Sequence, residues 1–333
     1  MLHGDRKREV SAMARQVLGG RDSVKVAAVQ ASPVFMDAQA TVEKACRLIK
    51  QAGTEHADLV AFSETFIPGY PCYYTGGFDS PAPEWLDYNI ALQDNAIVIP
   101  GDETAALGEA ARQAGCYVVM GCNELDERRA SRTLYNTLVF LGRDGSLLGK
   151  HRKLMPTAME RTIWGFGDGS TLTAVDSPYG RIGSVICWEN YMPMLRMAMY
   201  SKDVALYCAP TADDRDTWLP TMQHIALEGR CFVLTACQFL RKKDFPDTVR
   251  VSLGDSPEAA LMRGGSAIIG PLGNVLAGPH FGGETVLTAD LDLNDISRGK
   301  FDFDAVGHYS RPDVFQLIVN EAPMLAAAPK AKE

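Results

Sequence analysis

Apolar residues in this chain gather into short runs separated by longer stretches with helical spacing. The first run, Val24-Lys25-Val26-Ala27-Ala28-Val29-Gln30, predicts a strand. Residues 37–51 then place Val42, Ala45, Cys46 and Ile49 on one face of a helix. Asp58 to Phe62 predicts a second strand, ending at Ser63-Glu64. Helices are expected over 85–95 and 102–114, and a strand over 117–121 leads into Asn123 and Glu124. Residues 134–141 and 147–152, turned at Arg143-Asp144-Gly145, read as a hairpin that runs into Lys153. Strands over 171–175 and 181–186 pair through Pro178-Tyr179-Gly180. They are followed by a helix over 191–201, a strand over 204–208, a helix over 217–228 and a strand over 232–236. Beyond a polar excursion from Arg241 to Arg263 come strands at 266–269, 275–277 and 285–290, and a short helix from Asn294.

Helices alternate with strands, but hairpins are mixed in. That combination argues for an α/β sandwich with mixed sheets rather than a purely parallel doubly wound sheet. No fixed-period repeat or dividing linker occurs. The expected organisation is a flexible lead-in over 1–22, one domain over 23–318 and a disordered tail over 319–333. The loop from Pro68 to Pro83, rich in Pro, Gly and aromatics, is long enough to expect a functional role.

Composition narrows the classes. At 46% hydrophobic and 22% charged, the chain has a globular profile. A net charge of −8 argues against a nucleic-acid partner. No apolar run approaches the roughly 20 residues that cross a bilayer, and Met1 to Arg21 has no apolar core of a secretion signal. The expected location is the cytoplasm, without a membrane partner. None of the eight cysteines is in C-x-x-C spacing, so neither a zinc ribbon nor a dithiol redox site is indicated. In a reducing compartment disulfides are not expected.

The richest chemistry lies in Arg181-Ile182-Gly183-Ser184-Val185-Ile186-Cys187-Trp188-Glu189-Asn190. A thiol at the C-terminal end of a buried strand, just before a helix, sits where α/β proteins put their chemistry, and Cys187 is a candidate nucleophile. A nucleophilic thiol needs a proton acceptor. Of the six histidines, His151 lies two residues before Lys153 and His224 four before Glu228, but none gives local support for a Cys–His pair. The alternative is carboxylate plus lysine. Glu64, Lys153 and Cys187 each follow a strand closely, and strands lying side by side would bring them to one edge, where they would shift each other's pKa. Pro156 makes the next stretch a loop that can return Glu160 to the same place. Taken singly, each residue has a plain reading. A buried thiol is usually inert, a strand-end carboxylate often caps a helix, Lys153 extends a basic run, and Trp164 and Trp188 fit a core. Glu160-Arg161 fits a surface ion pair worth about 0–1 kcal/mol.

Taken together, these residues resemble the nitrilase branch of the carbon–nitrogen hydrolase superfamily over nearly the full length. The resemblance is carried by Phe62-Ser63-Glu64-Thr65-Phe66-Ile67-Pro68-Gly69-Tyr70, by His151-Arg152-Lys153-Leu154-Met155-Pro156-Thr157, by Glu160 to Gly169, by Cys187-Trp188-Glu189-Asn190-Tyr191-Met192-Pro193, and by Val306 to Asp313. Ser63 departs from the proline usual before the glutamate. The resemblance implies a four-layer α-β-β-α sandwich with two mixed sheets. It implies that Cys187 attacks a nitrile carbon, Glu64 is the general base, Lys153 stabilises developing negative charge, and Glu160 positions Lys153 and the water. Tyr70, Trp164 and Trp188 would line the substrate site, with the Trp188 N–H as an oxyanion donor and Ala209 to Asp213 closing another wall. No metal or organic cofactor is implied. The partners would be a small nitrile and further copies of the chain, as a dimer or spiral. The helix carrying Met192, Met194, Met197 and Met199, expected to be buried on more than one side, would serve that assembly, as would His308 and Arg311. Within the same superfamily an amidase or carbamoylase shares Glu64, Lys153 and Cys187, and a cyanide hydrolase shares these motifs. A non-catalytic scaffold would be expected to have lost some of them. Cys187-Trp188-Glu189 favours the nitrilases.

Overall fold

Alternate residues of β1 (Ser23–Gln30) serve two different cores. Val24, Val26 and Ala28 join one apolar cluster, and Ala27 and Val29 join another. The pleat therefore makes this strand an interior strand covered on both faces. The computed structural model describes residues 20–72, 82–127, 132–245 and 256–324. Residues 1–19 of the expected lead-in, 73–81 of the aromatic loop, 246–255 of the polar excursion and 325–333 of the tail lie outside the described residues.

β1 belongs to a six-stranded sheet. Its other strands are β2 (Leu59–Ala61), β3 (Tyr117–Leu125), β4 (Leu134–Leu141), β5 (Leu147–Arg152) and β13 (Thr285–Asp292), in the order β13-β1-β2-β3-β4-β5. The β1–β2 and β2–β3 pairs are parallel and the others antiparallel. The second sheet contains β6 (Ala174–Val175), β7 (Arg181–Ser184), β8 (Val204–Cys208), β9 (Phe232–Thr235), β10 (Phe239–Arg241), β11 (Ala260–Ile269) and β12 (Val275–Phe281). It runs β10-β11-β9-β8-β7-β6, with β12 paired to β11, and it is parallel at β7–β8 and β8–β9. Both sheets are mixed, as the resemblance implied.

Three apolar clusters fix the layers. Val26, Ala61, Val119 and Leu138 of the first sheet meet Ile182, Leu206, Phe232 and Ile268 of the second in an inner core. The outer face of the first sheet is covered by α1 (Ala38–Thr54), through Val42, Ala45 and Ile49, and by α3 (Asp102–Ala114), through Leu107 and Ala110. α4 (Pro193–Ser201) and α5 (Trp218–Gly229) cover the second sheet with Leu195, Met199, Met222 and Ile225. This is the α-β-β-α sandwich. α2 (Ala82–Asp94) and the short α6 (Asn294–Gly299) complete the described helices.

Local differences from the sequence reading have local causes. β6 is only two residues long, because Asp168 accepts the Ser170 N–H and winds 169–171 into a 3-10 turn. β11 starts at Ala260, inside the stretch expected to be a polar excursion. α4 begins at Pro193, a residue suited to the first turn, after a separate 3-10 turn over Cys187–Tyr191. Its buried residues, Leu195, Ala198, Met199 and Tyr200, extend around the helix beyond a single stripe, while Met194 is 74% exposed.

Candidate active site

Glu64 is brought inward by a close backbone crossing. A Cβ on Gly121 of β3 would lie 2.2 Å from the Ser63 carbonyl oxygen and 2.6 Å from the Thr65 nitrogen. Only glycine allows this approach, and Thr65 completes the bend with φ +45°. The Glu64 carboxylate is fully buried. Its Oε1 accepts Lys153 Nζ and Asn136 Nδ2, both at 2.7 Å, and its Oε2 accepts the Ala212 N–H at 2.9 Å.

Lys153 is the first residue beyond β5. Its N–H donates to the Asn136 carbonyl at 2.8 Å, and its own carbonyl accepts the Gly167 N–H at 2.8 Å. Nζ also donates to Glu160 Oε2 at 2.7 Å, so the ammonium sits between two carboxylates. Glu160 stands on a 3-10 turn, Ala158–Thr162, rather than in an open loop. Its Oε2 caps that turn by accepting the Thr157 N–H at 2.6 Å, and its Oε1 accepts the Tyr70 hydroxyl at 2.6 Å.

The strands carrying these groups are not side by side. β3 and β4 separate β2 from β5, and Cys187 comes from the other sheet. Convergence works because Asn136 of β4 bridges the gap to Glu64 and because Lys153 is long.

Cys187 leaves its strand in the left-handed region, φ +51°, a conformation that costs a non-glycine residue of order 1–3 kcal/mol. Its N–H donates to the Pro210 carbonyl at 2.8 Å, and its carbonyl accepts Asn190 Nδ2 at 2.7 Å. Its Sγ accepts the Thr211 hydroxyl at 3.1 Å. The thiol opens on a cavity of about 460 Å³ walled by Tyr70, Met159, Trp188, Ala212 and Met262, with Asp213, Asp214 and Arg215 also lining it. Trp188 is fixed there by its Nε1–H to Asp213 Oδ2 at 2.8 Å, with the Arg215 guanidinium 4.6 Å from its ring centre. Trp164 stands one layer back. It is edge-on to Tyr70 at 5.8 Å, its Nε1–H donates to Asn123 Oδ1 at 2.9 Å, and it is absent from the cavity wall.

The electrostatics follow from burial and proximity. Burial pushes the Cys187 thiol well above its usual range. Glu64 pushes it further, while the Lys153 ammonium and the Thr211 hydroxyl pull it back. Burial also raises the Glu64 carboxyl, against the pull of Lys153. For Lys153 burial opposes the charge, but Glu64, Cys187 and Glu160 outweigh it and hold the ammonium firmly protonated. A protonated thiol near a carboxylate of raised basicity, with a fixed cation bound to that carboxylate, can transfer its proton as it attacks.

Three holding groups go beyond the sequence reading, which placed Ala209 to Asp213 at the site only as a wall. Asn136, the Thr211 hydroxyl and the Ala212 N–H hold the base and the thiol. The signal for the last two was the apolar run of β8: its end, next to β7, had to meet the same edge. His151 contributes nothing directly to the carboxylate–lysine cluster. It is buried with Nε2 2.9 Å from Glu189 Oε2 and Nδ1 3.0 Å from the Thr171 carbonyl.

Comparison with known proteins agrees with this geometry. The sequence signature of the carbon-nitrogen hydrolase family matches residues 25–301. The chain is 53% identical to an aliphatic nitrilase of Sinorhizobium fredii over 309 residues, covering 92% of this chain and 99% of that one. It is 54% identical to a nitrilase of Bradyrhizobium diazoefficiens over 311 residues, covering 92% and 95%. The fold is similar to the crystal structure of Nit3 from Saccharomyces cerevisiae, with TM-score 0.68, 21% identity and coverage of 86% and 97%. The chain therefore belongs to the carbon–nitrogen hydrolase family and, within it, to the nitrilases.

Proposed function

We propose that the protein hydrolyses an organic nitrile to the carboxylic acid and ammonia, with Cys187 as the nucleophile. The observation that carries this reading is Lys153 Nζ held at 2.7 Å from both Glu64 and Glu160, beside a buried thiol that opens on a cavity. Glu64 takes the thiol proton as sulfur attacks the nitrile carbon. The nitrile nitrogen gains negative charge, is hydrogen-bonded by Lys153 and the Trp188 N–H, and takes the proton back from Glu64. Glu160 positions Lys153. The resulting thioimidate is attacked by water activated by Glu64, ammonia leaves, and a second water releases the acid from the thioester. Fixed donors of this kind contribute about 10²–10³ in rate each.

The cavity walls of Tyr70, Met159, Trp188, Ala212 and Met262 suit an apolar substrate body. The name of the relative at 53% identity supports an aliphatic one. Exposed Phe315 and Ile318, 78% and 88% accessible, together with Met194 on α4, support association with further copies of the chain. The eight free thiols fit a cytoplasmic location, and no helix among the described residues is long and apolar enough to cross a membrane.

The test is ammonia release from aliphatic, aryl and arylacetonitriles alongside the matching amides, with Cys187→Ala as control. Nitrile turnover that vanishes in the variant is expected. Turnover of amides alone would move the protein to an amidase function, and activity retained by Cys187→Ala would end the covalent mechanism.

A further inference from the structure

The segment after β8 does more than wall the cavity. Thr211 is fully buried, and its hydroxyl lies 3.1 Å from Cys187 Sγ. The Asp213 N–H donates to the same hydroxyl oxygen at 2.8 Å. That donor occupies an oxygen lone pair and leaves the hydroxyl proton to point at sulfur. The backbone around it is pinned. The Thr211 N–H donates to the Ala236 carbonyl at 3.0 Å, its carbonyl accepts the Gln238 N–H at 3.2 Å, and the adjacent Pro210 carbonyl accepts the Cys187 N–H at 2.8 Å. The hydroxyl is a preset donor to the reacting atom, and nothing in the mechanism above uses it.

We propose that Thr211 is a further catalytic residue, whose hydroxyl stabilises negative charge on Cys187 Sγ each time the carbon–sulfur bond breaks and thereby biases the reaction between amide and acid. This rests on the nitrile-hydrolysing reading. Addition of water to the thioimidate gives a carbon bearing hydroxyl, amino and thioether groups. In one exit Glu64 takes the hydroxyl proton and passes it to the amino nitrogen as the carbon–nitrogen bond breaks. Its electron pair leaves with ammonia, and the thioester remains. In the other, the carbon–sulfur bond breaks and its electron pair stays on sulfur. The hydroxyl proton then passes to Glu64 and the amide departs, completing addition of one water to the nitrile. A thioether sulfur accepts hydrogen bonds weakly and a thiolate accepts them strongly. The Thr211 donor therefore lowers the second barrier and leaves the first unchanged. The same bond assists the final departure of sulfur from the thioester.

The groups acting on the sulfur are Glu64, Lys153, Glu160, Tyr70 and Arg215, together with Thr211. Thr211→Val removes only the hydroxyl from that set, and Thr211→Ser keeps it. The first readout is alkylation of Cys187 by iodoacetamide as a function of pH, mapped by peptide mass and needing no nitrile. A hydrogen bond to a charged group supports an expectation of about ten- to a hundredfold slower alkylation in Thr211→Val at pH values where the thiolate is the minor form, with Thr211→Ser close to wild type. The second readout is the amide-to-acid ratio from one nitrile, which is expected to fall in Thr211→Val and recover in Thr211→Ser. If wild type releases acid alone, the expected sign is instead a larger thioester adduct by intact mass in Thr211→Val. Thr211→Ala replaces Thr211→Val if the latter does not fold. Alkylation and product ratios identical to wild type in the hydroxyl-free variant would overturn the proposal, as would Thr211→Ser behaving like Thr211→Val. Failure to turn over any nitrile would overturn the underlying reading and the amide–acid bias with it, while the alkylation profile still decides the sulfur contact.

Discussion

Glu189 Oε2 and His151 Nε2 lie 2.9 Å apart with both side chains sealed from solvent. Glu189 Oε1 also accepts the Leu154 N–H at 2.7 Å, and Oε2 accepts the Ile186 N–H at 2.6 Å. Leu154 follows Lys153, and Ile186 precedes Cys187. One carboxylate therefore ties the ammonium and the thiol into register from behind. His151 Nδ1 faces the Thr171 carbonyl and its Nε2 faces the Glu189 carboxylate, an arrangement that favours the imidazolium, whose charge balances that of Glu189.

Replacing Glu189 by Gln should uncouple the two halves. One carboxamide oxygen cannot serve three donors, and the imidazolium loses its counter-charge. Breaking a buried pair in this way costs about 3–5 kcal/mol. Denaturant unfolding should show that loss, and kcat on the preferred nitrile should fall about a hundredfold or more, as misplacement of reacting groups by about 1 Å predicts. A stable, fully active Glu189→Gln protein would remove the registering role.

The same pair sets a pH window. Burial opposes the His151 charge, but Glu189 and the hydrogen bonds prevail and raise its pKa above the ordinary 6.5. Its contribution to stability is fully present below 6.5 and is lost as pH rises through the raised folded value. For Glu189 burial again opposes the charge, and His151 and the two N–H donors bring its pKa below 4.5. Its contribution is present above 4.5 and is lost as pH falls through the lowered value. The stability difference between wild type and His151→Gln should be greatest between those limits and shrink at alkaline pH. A difference that stays constant up to pH about 10 would contradict a charged His151.

Glu64→Gln keeps the shape of the base and removes its basicity. With Lys153 still bound to Glu160, the fold should hold and KM change little. The kcat should drop about 10²–10⁴-fold, the range for loss of a general base. Stopped assays of ammonia release at matched folded concentration check this, and a loss below tenfold would place the base elsewhere.

Gly121→Ala should harm both stability and turnover, because its Cβ would collide with the Ser63 carbonyl at 2.2 Å. The strand end that aims Glu64 has to move. Thermal unfolding and kcat should fall together, and wild-type values for both would show that β3 yields without disturbing Glu64.

Much of this was readable in the chain. The strand runs and helix faces give the alternation, and Glu64, Lys153 and Cys187 lie close to the ends of readable strands, with Glu160 on the loop that follows Lys153. What the pattern could not give was which sheet each strand joins. An apolar run such as Leu59 to Phe62 looks the same beside β5 as with two strands in between. Backbone donors were equally hidden, since the Ala212 N–H that holds Glu64 belongs to a residue with no functional side chain. Nothing in the spacing pairs His151 with Glu189, 38 residues further on.

Glu64 and Lys153 ride on one sheet, and Cys187 and Thr211 on the other. The apolar filling between the sheets, with Ala28 and Ala61 on one side and Leu206 and Cys208 on the other, is therefore a shim of set thickness. An extra methyl group there would be tolerated by the fold at about 1–3 kcal/mol. The chemistry would notice sooner, because the shim, with the Ala212 and Glu189 hydrogen bonds, sets how far a sulfur stands from the carboxylate that must relieve it of a proton. Residues absent from the cavity wall thus help hold the tolerance to which this enzyme is built.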